Sequence, residues 1–275
     1  DQRVVKSSGS YADEQMLYLN SGCVCCNKRL DLVNSLKSLL DSYDKQNQKL
    51  GRVIIETTGL ANPAPILWTL LSDVFLSAHF ATQGVIACVD ALNGFLHLEN
   101  NEARQQIIFA DSVLLTKTDL QGDTRALKAE ILALNPSLAV FDKAKVRYDE
   151  LFSHANKANF RACETSNSHE QGFETLALGF DGAVEWSAFG IWLSLLLQKH
   201  GTRILRVKGI LDIGEDFLVS INGAMHIIHP PTHIKKDKEN GSKLVFITRN
   251  LPKEQILRSL DGFKGLLGAE FKILS

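Results

Sequence analysis

Three short apolar runs, each followed by polar residues, limit most strongly what the first half of this chain can fold into. The runs are Val53–Ile55, Gly84–Val89 and Val113–Leu115, and segments with helical character separate them. Continuous apolar and β-branched runs of this length are typical of strands that are covered on both faces. Strands that alternate with helices predict an α/β architecture, with a mainly parallel sheet and helices on both of its faces.

The segments around these runs have the period of α-helices. Between Lys28 and Tyr43, apolar residues recur at intervals of three and four, which predicts an amphipathic helix. Asn135-Pro136 and other turn-forming residues mark where the later segments end. We expect further helices over Pro65–Leu71, Glu102–Ala110 and Thr124–Leu134, and a last strand of this half over Leu138–Phe141.

The second half of the chain has a different pattern. Residues 156–171 are polar and mixed, so we interpret them as a linker and expect two domains, 1–160 and 161–275. In the second domain, Arg206 and Lys208 alternate with apolar residues, which predicts a half-exposed antiparallel strand. The order β-α-β-β-β-α predicts a small α+β domain. Its expected strands are Thr175–Phe180, Ile204–Ile213, Phe217–Ile228 (interrupted at Asn222-Gly223 by a hairpin turn or a bulge) and Lys243–Thr248, and its expected helices are Ser187–His200 and a segment capped by Asn250.

Three of the five cysteines, Cys23, Cys25 and Cys26, fall within a stretch of four residues, directly after an apolar segment. Thiolates are soft ligands that suit Zn²⁺, Cu(I) and similar ions. Three of them on a tight loop can face one ion, and a carboxylate, a histidine, a water or a second chain would complete a tetrahedral site. A redox pair formed by Cys23 and Cys25, or inert buried thiols, are the alternatives.

Thr116-Lys117-Thr118-Asp119 follows the third apolar run and has the form of a guanine-binding motif. The carboxylate of Asp119 can accept hydrogen bonds from the ring N–H and the exocyclic amine of guanine, a donor pair that adenine lacks. The stem of Lys117 can lie along the face of the base. The sequence therefore favours Thr116, Lys117 and Asp119 as nucleotide-binding candidates.

Glu56-Thr57-Thr58-Gly59 follows the first run and has the form of a Walker B segment. The Glu56 carboxylate would stand near Mg²⁺, and Gly59 would let the backbone approach a terminal phosphate. Asp90, at the end of the second run, is interpreted as a turn or cap carboxylate. Because ligands bind at the carboxyl ends of the strands in such sheets, these loops and the cysteine loop predict one shared site.

Together and in this order, the three motifs resemble those of the CobW-type metal-chaperone GTPases, and most closely those of the YjiA-like subgroup. The motifs are Asn20–Cys26, Ile55–Pro63 and Ala110–Leu120, and the segments Leu205–Gly209, His229–Pro231 and Leu244–Ile247 resemble the family's C-terminal domain. The resemblance implies a P-loop-type GTPase sheet followed by an α+β domain. It also implies GTP binding and slow hydrolysis with Mg²⁺, linked to the delivery of Zn²⁺ or Co²⁺ to a client metalloprotein.

The resemblance also implies a role for each motif residue. The implied roles are metal ligands for Cys23, Cys25 and Cys26, catalysis at the Mg²⁺–phosphate end for Glu56 and Gly59, and base reading for Thr116, Lys117 and Asp119. The expected partners are therefore a guanine nucleotide, a transition-metal ion and a client protein, with a second copy of the chain as a further candidate.

The chain departs from the family in one respect, because no GxxxxGKS or GxxxxGKT sequence occurs in its 275 residues. In the family this Walker A loop follows the first strand and binds phosphates through backbone N–H groups, a lysine and a hydroxyl. We therefore expect the first strand and the Walker A loop to be missing and the chain to be a partial one. The rival interpretation is a nucleotide-independent metal-binding adaptor that docks a client through its C-terminal domain.

Composition argues against several classes of partner. The net charge of −1 favours neither nucleic acid nor an anionic membrane, and the longest apolar run is shorter than a membrane span. An odd number of clustered cysteines indicates a reducing compartment, and we expect a cytoplasmic protein, or one of an organelle stroma or matrix if a transit segment is missing. His226, His229 and His233 are either a second metal site or exposed imidazoles at a strand end.

The absence of a Walker A sequence generates the first prediction. This chain should bind GTP only weakly, with a dissociation constant well above the micromolar range, because it lacks a cradle for the phosphates. Isothermal titration calorimetry with GTP and Mg²⁺ measures the affinity. Micromolar binding together with Mg²⁺-dependent turnover would contradict the expectation.

Overall fold

The computed structural model describes residues 26–153, 172–236 and 241–274, and the chain divides into two compact units, 1–54 and 55–275. The helices are α1 (Cys26–Lys45), α2 (Ala64–Ser72), α3 (Val74–His79), α4 (Gly94–Leu98), α5 (Asn101–Phe109), α6 (Arg125–Leu134), α7 (Tyr148–Ser153), α8 (Trp186–His200), α9 (Lys253–Asp261) and α10 (Lys264–Leu267). The strands are β1 (Ile86–Asp90), β2 (Ser112–Thr116), β3 (Ala139–Asp142), β4 (Phe173–Asp181), β5 (Ile204–Asp212), β6 (Phe217–Ala224), β7 (Ile227–Ile228), β8 (Thr232–Lys235), β9 (Ser242–Arg249) and β10 (Glu270–Ile273). None of the described helices is long and apolar enough to cross a membrane.

In the first unit, α1 confirms the helix that the apolar period predicts. Leu32, Val33, Leu36 and Leu39 are buried and recur at helical spacing along one side of the helix. Just after the helix, Asn47 has a φ of 57°, in the left-handed region. Asparagine tolerates this conformation, which turns the chain away from a helix end.

In the second unit, a parallel sheet of three strands has the order β1-β2-β3. Ile86 pairs with Ser112 and Ser112 pairs with Ala139, so the three strands begin at the same level. Val113 and Leu115 of the central strand are fully buried, and they pack in one apolar cluster with side chains of α5 and α6. This arrangement confirms the predicted α/β class and the elements expected between residues 84 and 142.

The first apolar run does not form a strand, contrary to the prediction. Val53–Ile55 has irregular backbone, and the Ile54 side chain is 72% exposed. A β-branched run becomes a strand only where a neighbouring strand takes up its N–H and C=O groups. Within the described ranges, β1 forms ladder pairs with β2 alone, and no strand pairs with Val53–Ile55.

The same unit contains an antiparallel sheet in the order β10-β4-β9-β5-β6-β7, with β8 paired along β6. On one face of this sheet, α8 and α9 enclose an apolar cluster in which Trp192 contacts both Phe189 and Phe246. The sheet and its helices confirm the predicted α+β class. The predicted order β-α-β-β-β-α is extended by the short elements β8, α10 and β10.

Two details of this sheet differ from the prediction. Asn222 and Gly223 neither turn the chain nor form a bulge but continue β6, and the turn follows at Met225, whose φ is 56°. Asn250 does not cap α9; a backbone N–H at the start of α9 instead donates to the carboxylate of Glu174 at 3.1 Å. Asparagine and glycine fit several kinds of turn, so tertiary contacts decide which of them turns the chain.

The central strand β5 is buried from Ile204 to Leu211, although its alternating pattern predicted one exposed face. Arg206 and Lys208, on that face, are only 1% and 3% exposed. Apolar side chains of α2 and α5 pack against the antiparallel sheet on the face opposite to α8 and form a further apolar cluster there. The predicted exposure of Arg206 and Lys208 was wrong, because alternating polar residues occur both on strand faces in contact with water and on faces that pair with a buried charge.

The buried partner of Arg206 and Lys208 is Asp111, the residue before β2. Its Oδ1 accepts hydrogen bonds from the Arg206 guanidinium and from Lys208 Nζ (3.4 Å), and its Oδ2 accepts one from the Val85 N–H (3.0 Å). Burial opposes ionisation of Asp111, but the charges of Arg206 and then of Lys208 hold its pKa below the usual range. An ionised Asp111 therefore links the two sheets.

Asp111→Asn should destabilise the protein by roughly 3–5 kcal/mol, because the change leaves two buried cations without their counter-charge. Chemical denaturation followed by tryptophan fluorescence measures the loss. Asp123 provides the control, since it pairs with Arg125 (2.8 Å) at the exposed surface, and Asp123→Asn should change stability little. Similar losses of stability in the two variants would show that the buried carboxylate of Asp111 contributes no more than an exposed one.

The same variant should change the pH dependence of stability. Because the folded pKa of Asp111 is lowered, its contribution is complete above its unfolded pKa of about 4 and is lost as the pH falls further. The stability difference between the wild type and Asp111→Asn should therefore narrow in acid.

Candidate functional site

The carboxyl ends of the three parallel strands meet at one edge of their sheet, and of the loops that the sequence predicts at such an edge, the one after β2 lies there. β1 ends at Asp90, β2 at Thr116 and β3 at Asp142, and Asp90 pairs with Thr116 in the ladder. The Ala91 N–H donates to the Thr116 carbonyl at 2.9 Å, which continues this pairing beyond β1. Because β2 is the central strand, the loop Lys117–Asp119 emerges between the ends of β1 and β3.

Lys117 is held by a carboxylate of the neighbouring strand. Its φ of 56° lies in the left-handed region, which is uncommon for a residue with a side chain. Its Nζ donates to Asp90 Oδ2 at 2.6 Å, and this contact lowers the pKa of Asp90 well below its usual range. Asp90 also accepts the Leu92 N–H (2.8 Å), so it closes the turn as the sequence indicates. Sequence reasoning missed its pairing with Lys117, because 27 positions separate the two.

Thr118 is held by the strand on the other side. Its Oγ1 donates to Asp142 Oδ1 at 2.5 Å, and the same oxygen accepts the Ala144 N–H at 3.0 Å. Both hydrogen bonds lower the pKa of Asp142, and the one from Thr118 has the larger effect. The carboxylate therefore stays ionised and remains an acceptor. The loop after β2 is thus attached to both neighbouring strands.

Asp119 and Thr116 differ in whether their polar side-chain atoms are available to a ligand. Asp119 is exposed, and within the described ranges its carboxylate accepts no hydrogen bond. Thr116 is half-buried, and its hydroxyl donates to the Val89 carbonyl at 3.3 Å. Of the three predicted base-reading residues, Lys117 and Asp119 lie at the open edge, whereas Thr116 uses its hydroxyl within the sheet.

The segment from Glu56 to Gly59 is an exposed loop that α5 holds from one side. The side-chain amide of Gln106 donates to the carbonyls of Gly59 and Ala61, both at 2.9 Å. A Cβ at Gly59 would meet no atom within 4 Å, so this position is open on its outer side. No sequence pattern indicates a role for Gln106, which lies 47 positions from Gly59.

Glu56 lies close enough to β1 to act on Cys88. Partial burial raises the pKa of the Cys88 thiol, and the negative charge of Glu56 raises it further. The positive charge of Lys143 has the opposite effect. Cys88 itself is an exposed free thiol that stays protonated at neutral pH, so it is not prepared as a metal ligand.

The predicted cysteine site cannot be built from the described residues. Cys23 and Cys25 lie outside them, and Cys26 is described only as the first backbone position of α1. The convergence of these thiols on one ion stays a prediction. In the part of the chain that the structure describes, no three His, Cys, Asp or Glu side chains are placed to hold a metal ion, and this includes the three histidines around Pro230.

Gln106→Met should loosen the loop around Gly59, because it removes both hydrogen bonds to the loop carbonyls while keeping the helix. Amide hydrogen exchange over residues 59–62 should become roughly five- to tenfold faster, as expected for the loss of about 1 kcal/mol of local stability. Gln105→Met, on the same helix, is the matched control and should leave this exchange unchanged. Identical behaviour of the two variants would remove the proposed role of Gln106.

Comparison with known families supports both halves of the fold. Residues 1–142 match the nucleotide-binding domain of the CobW/HypB/UreG family, and residues 173–264 match the C-terminal domain of the cobalamin synthesis protein CobW. The crystal structure of the Zn(II)-bound YjiA GTPase from Escherichia coli superposes with a TM-score of 0.70 and 28% sequence identity, over 84% of this chain and 77% of that one.

Several characterised proteins are similar to this chain over most of its length. The zinc chaperone YjiA of Escherichia coli is 30% identical over 263 residues, which are 91% of this chain and 82% of that protein. The zinc-regulated GTPase metalloprotein activator 1 of Schizosaccharomyces pombe is 28% identical over 85% of this chain and 50% of its own length. The zinc chaperone CobW of a Sinorhizobium species is 27% identical over 78% of this chain and 70% of its own length. With both characteristic domains present in their usual order, this chain belongs to the CobW family.

Proposed function

We propose that this protein is a metallochaperone of the CobW type, which carries zinc or a similar transition-metal ion to a client metalloprotein under the control of GTP. Relatives described as zinc chaperones and as a zinc-regulated GTPase metalloprotein activator support zinc as the cargo. The observation that carries the proposal is the pair Lys117 and Asp119 at the carboxyl edge of the parallel sheet, in a fold shared with a zinc-bound GTPase.

The proposed ligands for the cargo ion are Cys23, Cys25 and Cys26. Three thiolates from one loop bind Zn²⁺ or Co²⁺ well and leave a fourth position at which a ligand of the client can enter. Such a site needs reduced thiols, so a reducing compartment such as the cytoplasm is part of the proposal. In this proposal, residues 1–160 bind the nucleotide and the metal ion, and residues 161–275 bind the client.

The proposed guanine site is the loop after β2. Asp119 is exposed and has its acceptor oxygens available, so it would accept the two N–H groups that distinguish guanine. The stem of Lys117 would lie along the base while Asp90 fixes its Nζ. Glu56 and Gly59 would act at the phosphate end, where Mg²⁺ neutralises charge when it is bound. Hydrolysis also requires a phosphate-binding loop, and the 275 residues contain no Walker A sequence.

Zinc titration against a chromophoric chelator, with and without a non-hydrolysable GTP analogue at millimolar concentration, tests the proposal. We expect one high-affinity zinc per chain, and an affinity that the analogue changes by roughly 5–150-fold, because coupling between two sites is reciprocal. Combined substitution of Cys23, Cys25 and Cys26 by serine should abolish high-affinity binding. Cys88→Ser, which changes an exposed cysteine of β1, is the matched control.

Asp119→Ala separates the two halves of the proposal. It should remove the effect of the GTP analogue and leave the zinc affinity unchanged, since Asp119 would contact only the base. Equal zinc affinities of the wild type without the analogue and with the analogue at a concentration that calorimetry shows to be saturating would reject control by GTP. Loss of zinc binding in Cys88→Ser would reject the assigned ligands.

The alternative function is a nucleotide-independent metal-binding adaptor, and one surface of the second domain favours it. A groove of about 530 Å³ runs between α8 and α9, with Trp192, Leu195 and Phe263 as apolar lining and Lys199 and Arg258 as cations. An exposed apolar groove of this kind suits an amphipathic segment of a client. The zinc titration discriminates the two functions, because the adaptor requires an affinity that does not respond to the GTP analogue.

A further inference from the structure

The contact between the two sheets of the second unit encloses more positive than negative charge. Asp111 supplies one carboxylate, and Arg206 and Lys208 supply two cations, each of the three side chains at most 4% exposed. Lys208 Nζ reaches the carboxylate only at 3.4 Å, on the same oxygen that the Arg206 guanidinium already occupies. Burial lowers the pKa of Lys208, and the charge of Asp111 opposes that shift. With Lys208 protonated, one positive charge is left over among these buried side chains.

Nearby polar atoms in this contact also lack partners. Within the described ranges, Arg206 Nε, Asn222 Oδ1 and His229 Nε2 are buried without a hydrogen bond, as is the hydroxyl of Ser112, which follows Asp111. Asn222 lies directly opposite Lys208 in the β5–β6 ladder, so the two side chains share one face of the sheet.

His229 joins the same group of residues from the chain beyond β7. Its backbone N–H donates to the Asn222 carbonyl at 2.8 Å, which places it beside that strand. Burial lowers the pKa of His229, and the positive charge of Arg206 lowers it further, to about 4. The negative charge of Asp111 acts in the opposite direction. The imidazole is thus neutral at physiological pH and does not add to the excess charge.

We propose that Arg206, Lys208, Asn222 and His229 bind a small monovalent inorganic anion, such as chloride, between the two sheets. Among the described residues, three groups donate to no acceptor: Arg206 Nε–H, the remaining protons of Lys208, and a neutral His229 with its proton on Nε2. The Asn222 amide adds a fourth donor when its oxygen and nitrogen exchange places, which the two orientations of an amide allow.

The excess charge selects an anion over the other candidates. A water molecule would satisfy the unpaired atoms but would leave the buried positive charge uncompensated, which is costly in a low-dielectric interior. A metal cation is disfavoured because the guanidinium and the ammonium would repel it. This anion site is separate from the proposed metal and nucleotide sites and does not depend on them.

Thermal unfolding of the whole chain in sodium chloride and in sodium gluconate at equal ionic strength tests the site. Chloride should raise the Tm by about 3 °C with a saturating concentration dependence, as expected for a ligand in roughly tenfold excess over its Kd. Lys208→Met removes the excess charge and should abolish the difference between the two salts. Lys236→Met, which breaks a more exposed pair with Asp212 (2.8 Å), is the matched control and should keep it.

A second measurement covers the case in which Lys208→Met fails to fold. Arg206→Lys keeps the charge but removes Nε–H, so it should weaken the chloride effect, and crystals of the wild type soaked in bromide should give an anomalous peak within hydrogen-bond distance of Arg206 Nε. Stabilisation that follows ionic strength whatever the anion would overturn the proposal. So would an undiminished chloride effect in Lys208→Met, or water alone at this position in the bromide-soaked crystals.

Discussion

The second unit depends on a single buried carboxylate that is bound from three directions. Asp111 contacts Arg206 and Lys208 of the antiparallel sheet, and it also accepts the N–H of Val85, which precedes β1. The carbonyl of Val85 in turn accepts the N–H groups of Asp111 and Ser112, at 2.8 and 3.2 Å. These contacts join the amino ends of β1 and β2 to each other and to the second sheet.

The position of the candidate site follows from this connection. The register that begins with Ile86 opposite Ser112 continues without interruption to Asp90 opposite Thr116. A slip by one residue would move every side chain of β1 to the other face of the sheet. It would also separate Asp90 from Lys117. The contacts of Asp111 at one end of the strands therefore help to fix which residues meet at the other end.

The sequence allowed prediction of features that depend on nearby residues and missed those that depend on distant ones. The helical period before Tyr43 and the apolar run of β2 are local signals, and both were confirmed. The burial of β5 depends on Asp111, 95 positions from Arg206, and no local pattern reports such a partner. Val53–Ile55 has the composition of a strand but lacks a neighbour that would pair with it among the described residues. Thr116–Asp119 was recognised from its motif, whereas the carboxylates that hold it come from other strands.

The carboxylates of Asp90 and Asp142 explain how the exposed loop after β2 can place the backbone of Asp119. Asp90 binds Lys117 from β1, and Asp142 binds Thr118 from β3, so two successive residues of the loop are fixed from opposite sides. Fixing them costs conformational entropy during folding rather than at the moment a ligand arrives. Asp119 follows directly, and within the described ranges its carboxylate has no competing donor. The backbone position of Asp119 is therefore set at the sheet edge before a ligand arrives, and ordering a ligand there would involve only the rotation of the Asp119 side chain.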